Sequence, residues 1–298
     1  MSEQARAARK PQSAFAKVRA YADLTKPRIA LLVLTVAVGS FVIASPRSFD
    51  WLRLAETALG VCLLAFGIFA LNHYCERDSD ARMLRTARRP LPSGRLAPRE
   101  ALVFGSTLTT AAVIGFTALL GLAAGAVALF TFISYIFIYT PLKRRTMHHT
   151  IPGALSGAMP PLLGWASARG TLDLGAWVLF GILFFWQFPH FLALELMYRE
   201  DYHRGGIRVI TAARVPVVWF TVEILLAVCL LVAVSFAPFF LGVTGPLYLV
   251  GVSALGIVFA VFAGLAAVRR DQRAGRLLLR VSVTYLPLVF LLLLLSWS

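Results

Sequence analysis

Hydrophobic residues run along this chain in blocks of close to twenty, and most blocks end in a short polar or basic interval. About twenty apolar residues are needed for a helix to cross the hydrocarbon core of a bilayer. The pattern predicts nine spans, at roughly 29–45, 55–75, 101–121, 124–142, 151–168, 174–197, 215–238, 243–268 and 281–297. The third and fourth touch at Gly121-Leu122-Ala123-Ala124-Gly125, so the boundary between them is soft. Lipid offers the backbone no hydrogen-bond partners, which makes helices the default for such segments. The predicted class is therefore all-α, a polytopic membrane helical bundle. An N-terminal segment, 1–28, precedes a single transmembrane domain, 29–298. Composition agrees, since 59% of residues are hydrophobic and only 14% are charged, leaving no soluble domain in view.

The basic residues add an orientation. Of 29 Lys and Arg residues, all but Arg47, Arg53 and Arg169 fall in five intervals, 1–28, 76–100, 143–145, 198–214 and 269–280. Nine spans place all five intervals on one side of the membrane. The positive-inside rule makes that side cytoplasmic. The N-terminus is then inside and the C-terminus outside. The net charge of +15 follows from this orientation and from anionic lipid or substrate, and is poor evidence for nucleic-acid binding. The first apolar run is too long for a signal peptide and lacks a small-residue cleavage site. The leader 1–20 is rich in Arg and Ala like a transit peptide, but it carries Glu3. A bacterial inner membrane is expected ahead of a mitochondrial one. Cys62, Cys75 and Cys229 lie in or at the edge of apolar spans without metal-ligand spacing, and read as small helix residues.

Chemistry concentrates where the second span ends, at Asn72-His73-Tyr74-Cys75-Glu76-Arg77-Asp78-Ser79-Asp80. Asn72, Glu76 and Asp80 are four apart, so on a helix they form one polar stripe about 12 Å long. Oxygen ligands grouped this way suit Mg²⁺, which is usually held by one or two carboxylates together with substrate phosphates. The basic stretch 82–95 follows and is suited to holding a polyanion against that metal. Solvated charges capping a helix end would have a similar composition, but these sit at the membrane edge, in a charge-poor chain and in helical register. A loose echo appears after span 6, where Glu195, Glu200 and Asp201 precede another basic loop. Two acidic clusters facing one another at the mouth of a bundle are able to hold two Mg²⁺ around one diphosphate.

The stripe, followed by Arg88-Arg89-Pro90-Leu91-Pro92, resembles the first aspartate-rich motif of the UbiA intramembrane prenyltransferases. Three further segments narrow the resemblance to the protohaem IX farnesyltransferases, or haem O synthases. They are Tyr139-Thr140-Pro141-Leu142-Lys143-Arg144-Arg145-Thr146, then Gly157-Ala158-x-Pro160-Pro161-Leu162-x-Gly164-Trp165, and Trp186-Gln187-x-Pro189-His190-Phe191 with Asp201-Tyr202 beyond it. The likeness covers about residues 20–295. It implies a UbiA-like bundle in which farnesyl diphosphate ionises with Mg²⁺ on its diphosphate. The allylic carbon joins the 2-vinyl group of haem b, and water completes a hydroxyethylfarnesyl group. The product, haem O, serves a terminal oxidase assembly directly or after a haem A synthase.

The resemblance also implies roles. Asn72, Glu76, Asp80 and Asp201 are the expected metal ligands, and with Lys143 the expected catalytic set. Arg77, Arg85, Arg88, Arg89 and Arg144 are candidates for the diphosphate, and His190 and Gln187 for haem. Gln187, His190, Leu194 and Asp201 fall near one stripe if span 6 is a continuous helix. Pro189 is expected to kink that helix. The chain departs from the family pattern in three places. His73 and Glu76 stand where the superfamily often has Asp, Arg199-Glu200-Asp201 lacks two Asp spaced by three, and His148-His149 replaces an Asn. Glu223 is a further intramembrane acid, functional by default. Two other functions remain open at this point, an aromatic, quinone-type prenyltransferase and a membrane transporter. The charges cluster at one mouth instead of the midplane, which counts against transport.

Overall fold

The computed structural model describes residues 13–45, 49–211 and 216–297. The leader 1–12, with its Arg6, Arg9 and Lys10, and the positions of Arg47 and Arg214 fall outside the described residues. Among those described there are helices and connections and no strands.

The chain opens with α1 (Ala14–Leu24), capped by the Ser13 hydroxyl, which accepts from the Ala16 N–H at 3.2 Å. Lys26 then turns the chain in the left-handed region (φ 47°), and Pro27 starts α2 (Pro27–Ala44). The remaining helices are α3 (Trp51–Asp80), α4 (Pro98–Gly115), α5 (Leu122–Ile133), α6 (Thr140–Leu142), α7 (Thr150–Gly157), α8 (Met159–Arg169), α9 (Leu174–Gly205), α10 (Val217–Phe240), α11 (Pro246–Arg269) and α12 (Gln272–Ser296). Helix α4 runs on as a π-helical turn, Phe116–Leu120, and a second one, Ser134–Tyr139, joins α5 to α6. Asp50, Asp173 and Asp271 cap α3, α9 and α12 through their carboxylates.

Among the described residues, eight helical stretches are long and apolar enough to cross a bilayer. The predicted span 151–168 differs in being split. It is the pair α7–α8, broken at Ala158 just ahead of Pro160 and Pro161. Proline at the start of a helix fits its missing N–H, whereas inside one it removes a bond. The pair still passes from one end of the bundle to the other, giving nine crossings. His149 stands near Lys143 and Lys26 at one end, while Arg169 Nε donates to the Ala44 carbonyl at 2.7 Å at the other. The protein is an integral membrane protein.

Crossings pack through small residues, as lipid-embedded helices do when dispersion replaces hydrophobic association. On α8, a Cβ at Gly164 would collide with the Ala37 carbonyl of α2. On α3, a Cβ at Gly67 would lie 2.7 Å from the backbone nitrogen of Thr109 on α4. Gly164→Ala is therefore expected to force α2 and α8 apart and cost about 1–3 kcal/mol, as overpacking does. Thermal unfolding in detergent measures this, and an unchanged midpoint would refute the close approach.

At about 45 Å for its 30 residues, α3 outruns the bilayer core. Its last turns therefore emerge at the end where the connection from residue 81 to 97 folds back over the bundle. Met83, Thr86, Leu91 and Leu96 of that connection are buried. Thr86 Oγ1 donates to the Asp80 carbonyl at 2.9 Å, and Arg95 pairs with Asp23 at 2.6 Å. Helix α9 carries Pro189 within helical backbone. It breaks at Tyr198 (φ −117°, ψ 25°).

Candidate active site

The end of α3 opens into a cavity of about 150 Å³. Asn72, Glu76 and Asp80 line it together, as their spacing predicts. All three are buried, Asp80 completely. Each oxygen-bearing group already has a cationic partner. Lys26 Nζ donates to Asn72 Oδ1 at 2.9 Å, Lys143 Nζ to Glu76 Oε1 at 3.1 Å, and Arg89 Nη1 to both Asp80 oxygens at 2.9 and 2.7 Å. Buried charges need such pairing to be tolerable. Burial, with Arg89 and Lys143 nearby, pushes the Lys26 ammonium down to about 7.

The stripe fits a hard divalent cation by its donor chemistry, two carboxylates and an amide oxygen in one row. Among the described residues, no cluster of three His, Cys, Asp or Glu side chains forms a ready-made cage. That suits a metal which keeps waters or takes substrate phosphate as its remaining ligands. Lys26, Arg85, Arg89 and Lys143 line the same cavity as Glu76, Asp80 and Glu195, so basic side chains outnumber acidic ones by four to three. Such a lining favours a polyanion that arrives with its own metal. Tyr135, Tyr139, Phe191 and Tyr202 supply aromatic surface beside these charges, and ring faces attract cations.

The arginines divide. Arg85 and Arg89 line the cavity. Arg77 turns away to the Tyr74 carbonyl (2.7 Å) and Asp78 (3.7 Å), Arg88 is exposed, and Arg144 donates to Ser79 Oγ at 2.9 Å outside the lining. Asp201, expected among the metal ligands, is placed apart from the Asn72, Glu76 and Asp80 row. It does not line the cavity, and its two oxygens accept the backbone N–H groups of Leu84 and Arg85, each at 3.1 Å. It thereby ties the loop after α3 to the end of α9. The acid that α9 does turn inward is Glu195, while Glu200 is exposed beside Arg204.

Gln187 and His190 also lie outside the cavity lining. Gln187 Nε2 donates to the Ala154 carbonyl of α7 at 3.0 Å. His190 Nδ1 meets Ser282 Oγ of α12 at 3.0 Å and stacks on Trp186, whose Nε1 donates to the Ser282 carbonyl at 2.7 Å. This motif holds α9 against its neighbours. His190→Ala is expected to lower unfolding stability by about 1 kcal/mol, the worth of one hydrogen bond, and to leave turnover within a few-fold. A hundredfold loss of turnover at unchanged stability would contradict that assignment.

Lys26 and Tyr135 belong to the lining and were not singled out from the sequence, whereas Glu195, Tyr139, His149 and Tyr202 stood in quoted motifs without an assigned role in the site. Glu195 was within reach as an acid inside a predicted span. Glu223, to which that reasoning pointed, sits on α10 outside the lining.

Residues 32–296 match the UbiA prenyltransferase family. The chain is similar to a protoheme IX farnesyltransferase of Solibacter usitatus (strain Ellin6076), 42% identical over 288 residues, covering 94% of this chain and 99% of that one. It is similarly related to a protoheme IX farnesyltransferase of Salinibacter ruber (strain DSM 13855 / M31), 41% identical over 281 residues, with 93% and 98% covered. Among solved structures, the fold resembles a digeranylgeranylglyceryl phosphate synthase with a TM-score of 0.76, at 16% identity over 94% of this chain and 98% of that one. It also resembles a UbiA homologue from Archaeoglobus fulgidus bound to GPP and Mg²⁺, with a TM-score of 0.64, 14% identity, and 92% and 99% covered.

Proposed function

The chain belongs to the UbiA prenyltransferase family, and on that premise we propose that it transfers the farnesyl group of farnesyl diphosphate to a vinyl group of haem b, releasing diphosphate and giving haem O. The acceptor is supported by relatives above 40% identity that are named protoheme IX farnesyltransferases and aligned over nearly the whole chain. The observation that carries the chemistry is the row Asn72, Glu76 and Asp80 facing Lys26, Lys143 and Arg89 in one cavity.

Asn72, Glu76 and Asp80 would hold Mg²⁺, which neutralises charge on a leaving diphosphate when bound. Lys26, Arg85, Arg89 and Lys143 hold the diphosphate oxygens and stabilise the charge that develops as the allylic C–O bond lengthens. Tyr135, Tyr139, Phe191 and Tyr202 turn ring surface to the allylic cation. Phe191 and Leu194 give the cavity an apolar border on α9 that excludes bulk water from it. Asp201 keeps the Arg85 loop closed over this arrangement through its two backbone bonds.

The charged mouth faces the cytoplasm, because the basic intervals lie at that end. Ala81→Cys and Arg204→Cys, each on a cysteine-free background, are expected to resist an impermeant thiol reagent added outside intact bacterial cells and to react after permeabilisation. Labelling from outside would reverse the orientation. The activity is tested by the haem content of membranes from cells expressing the chain. Haem O should accumulate in place of haem b. Accumulation of a prenylated quinone precursor instead would reassign the acceptor.

A further inference from the structure

Two buried side chains line the cavity without a part in holding the diphosphate. His149, at the start of α7, is 6% exposed, and Glu195 on α9 is 2% exposed. Neither ring nitrogen of His149 has a hydrogen-bond partner, and neither does Glu195 Oε1. Buried polar atoms are normally paired, and an unpaired one in a cavity wall is open to a water, a ligand or a catalytic role. Glu195 Oε2 is fixed by the backbone N–H and hydroxyl of Thr211, at 3.4 and 3.5 Å. His149 Nε2 lies 3.8 Å from Glu195 Oε1. That is too long for a direct hydrogen bond, and a water between the two atoms would have a polar partner on each side.

The surroundings keep the imidazole able to accept a proton. Burial, followed by the Lys143 ammonium, holds His149 down at about 4, so it is neutral near pH 7. The groups facing the pair are Lys143, Glu76 of α3, the Arg208 backbone and Thr211 of the loop after α9, and Glu223 of α10. The Tyr139 ring lies 6.3 Å from the imidazole. Only His149 among these is a neutral imidazole with both nitrogens free.

Resting on the farnesyl-transfer reading above, we propose that His149 is the catalytic base of the hydration step and that Glu195 is its positioning residue. Carbon–carbon bond formation joins the farnesyl C1 to the terminal vinyl carbon, and the C1–O bond breaks with its electron pair on diphosphate. The positive charge moves to the vinyl carbon next to the porphyrin ring. A water held between His149 Nε2 and Glu195 Oε1 gives its oxygen lone pair to that carbon. One water proton passes to His149 Nε2 and then to solvent, leaving the hydroxyl. Without the base, the cation loses a carbon-bound proton instead, and the product is an alkene lighter by one water.

The test uses the purified full chain with farnesyl diphosphate, haem b and Mg²⁺, and reads released diphosphate and product mass together. His149→Asn and Glu195→Gln are expected to go on farnesylating haem. The ratio of hydrated to unhydrated product should fall by at least about 10-fold, within the range a general base contributes. In His149→Gly, added imidazole should restore the hydrated product, which a merely structural loss would not allow. An unchanged ratio in both substituted enzymes, or no effect of imidazole, overturns the proposal. If the parent enzyme turns over farnesyl diphosphate without farnesylating haem, the acceptor reading itself fails, and this proposal with it.

Discussion

Asp80→Ala is expected to lower turnover of farnesyl diphosphate by about 10²-fold or more, the usual effect of removing one preorganised electrostatic contact to a developing anion. Asp80 is completely buried, and both its oxygens are engaged by Arg89. Alanine removes one of two carboxylates in the row and leaves the guanidinium without its partner. Glu76→Ala should act in the same direction, since Lys143 then loses its partner. Purified enzyme assayed for diphosphate release measures both. Full activity of Asp80→Ala, or undiminished turnover in excess chelator, would sink the metal role of this row.

Lys143→Met carries the second large effect, this time on stability. Lys143 and Glu76 form an ion pair at 3.1 Å, with 16% and 7% of their side chains exposed. Removing one partner of a buried pair typically costs about 3–5 kcal/mol, because the other charge is left uncompensated. The double variant Lys143→Met/Glu76→Gln should recover most of that loss, because no lone charge remains, yet stay inactive. Unfolding midpoints of the two single variants and the double variant form a cycle that isolates the pair. Additive effects would mean that the two side chains do not depend on each other.

The bundle was legible because the bilayer demands long apolar helices and the intervals between them carry the charge. The exception, 151–168, reads as one apolar run in hydropathy, which does not register the break that Pro160 and Pro161 mark at Ala158. The row Asn72, Glu76, Asp80 was legible for a local reason, since four-residue spacing survives any tertiary arrangement of a continuous helix. The opposite wall was not. The backbone leaves helical geometry at Tyr198, between Glu195 and Asp201, so a face extrapolated along an unbroken helix points to Asp201, whereas Glu195 lines the cavity. Lys26 was hidden because its approach to Asn72 depends on a left-handed turn before Pro27. The Trp186-Gln187-x-Pro189-His190 motif was recognisable as a motif, but which helix each polar tip meets depends on neighbours far along the chain, Ala154 and Ser282.

The central claim is that one cavity at the end of α3 ionises farnesyl diphosphate and delivers its allylic carbon to haem. The most direct measurement incubates the purified protein with farnesyl diphosphate and haem b, with and without Mg²⁺, and follows the porphyrin by mass spectrometry. A porphyrin heavier by one farnesyl group and one hydroxyl group is expected, formed with Mg²⁺, lost with chelator, and reduced by about 10²-fold or more in Asp80→Ala. An unmodified porphyrin under conditions where the protein is folded and binds farnesyl diphosphate would contradict it.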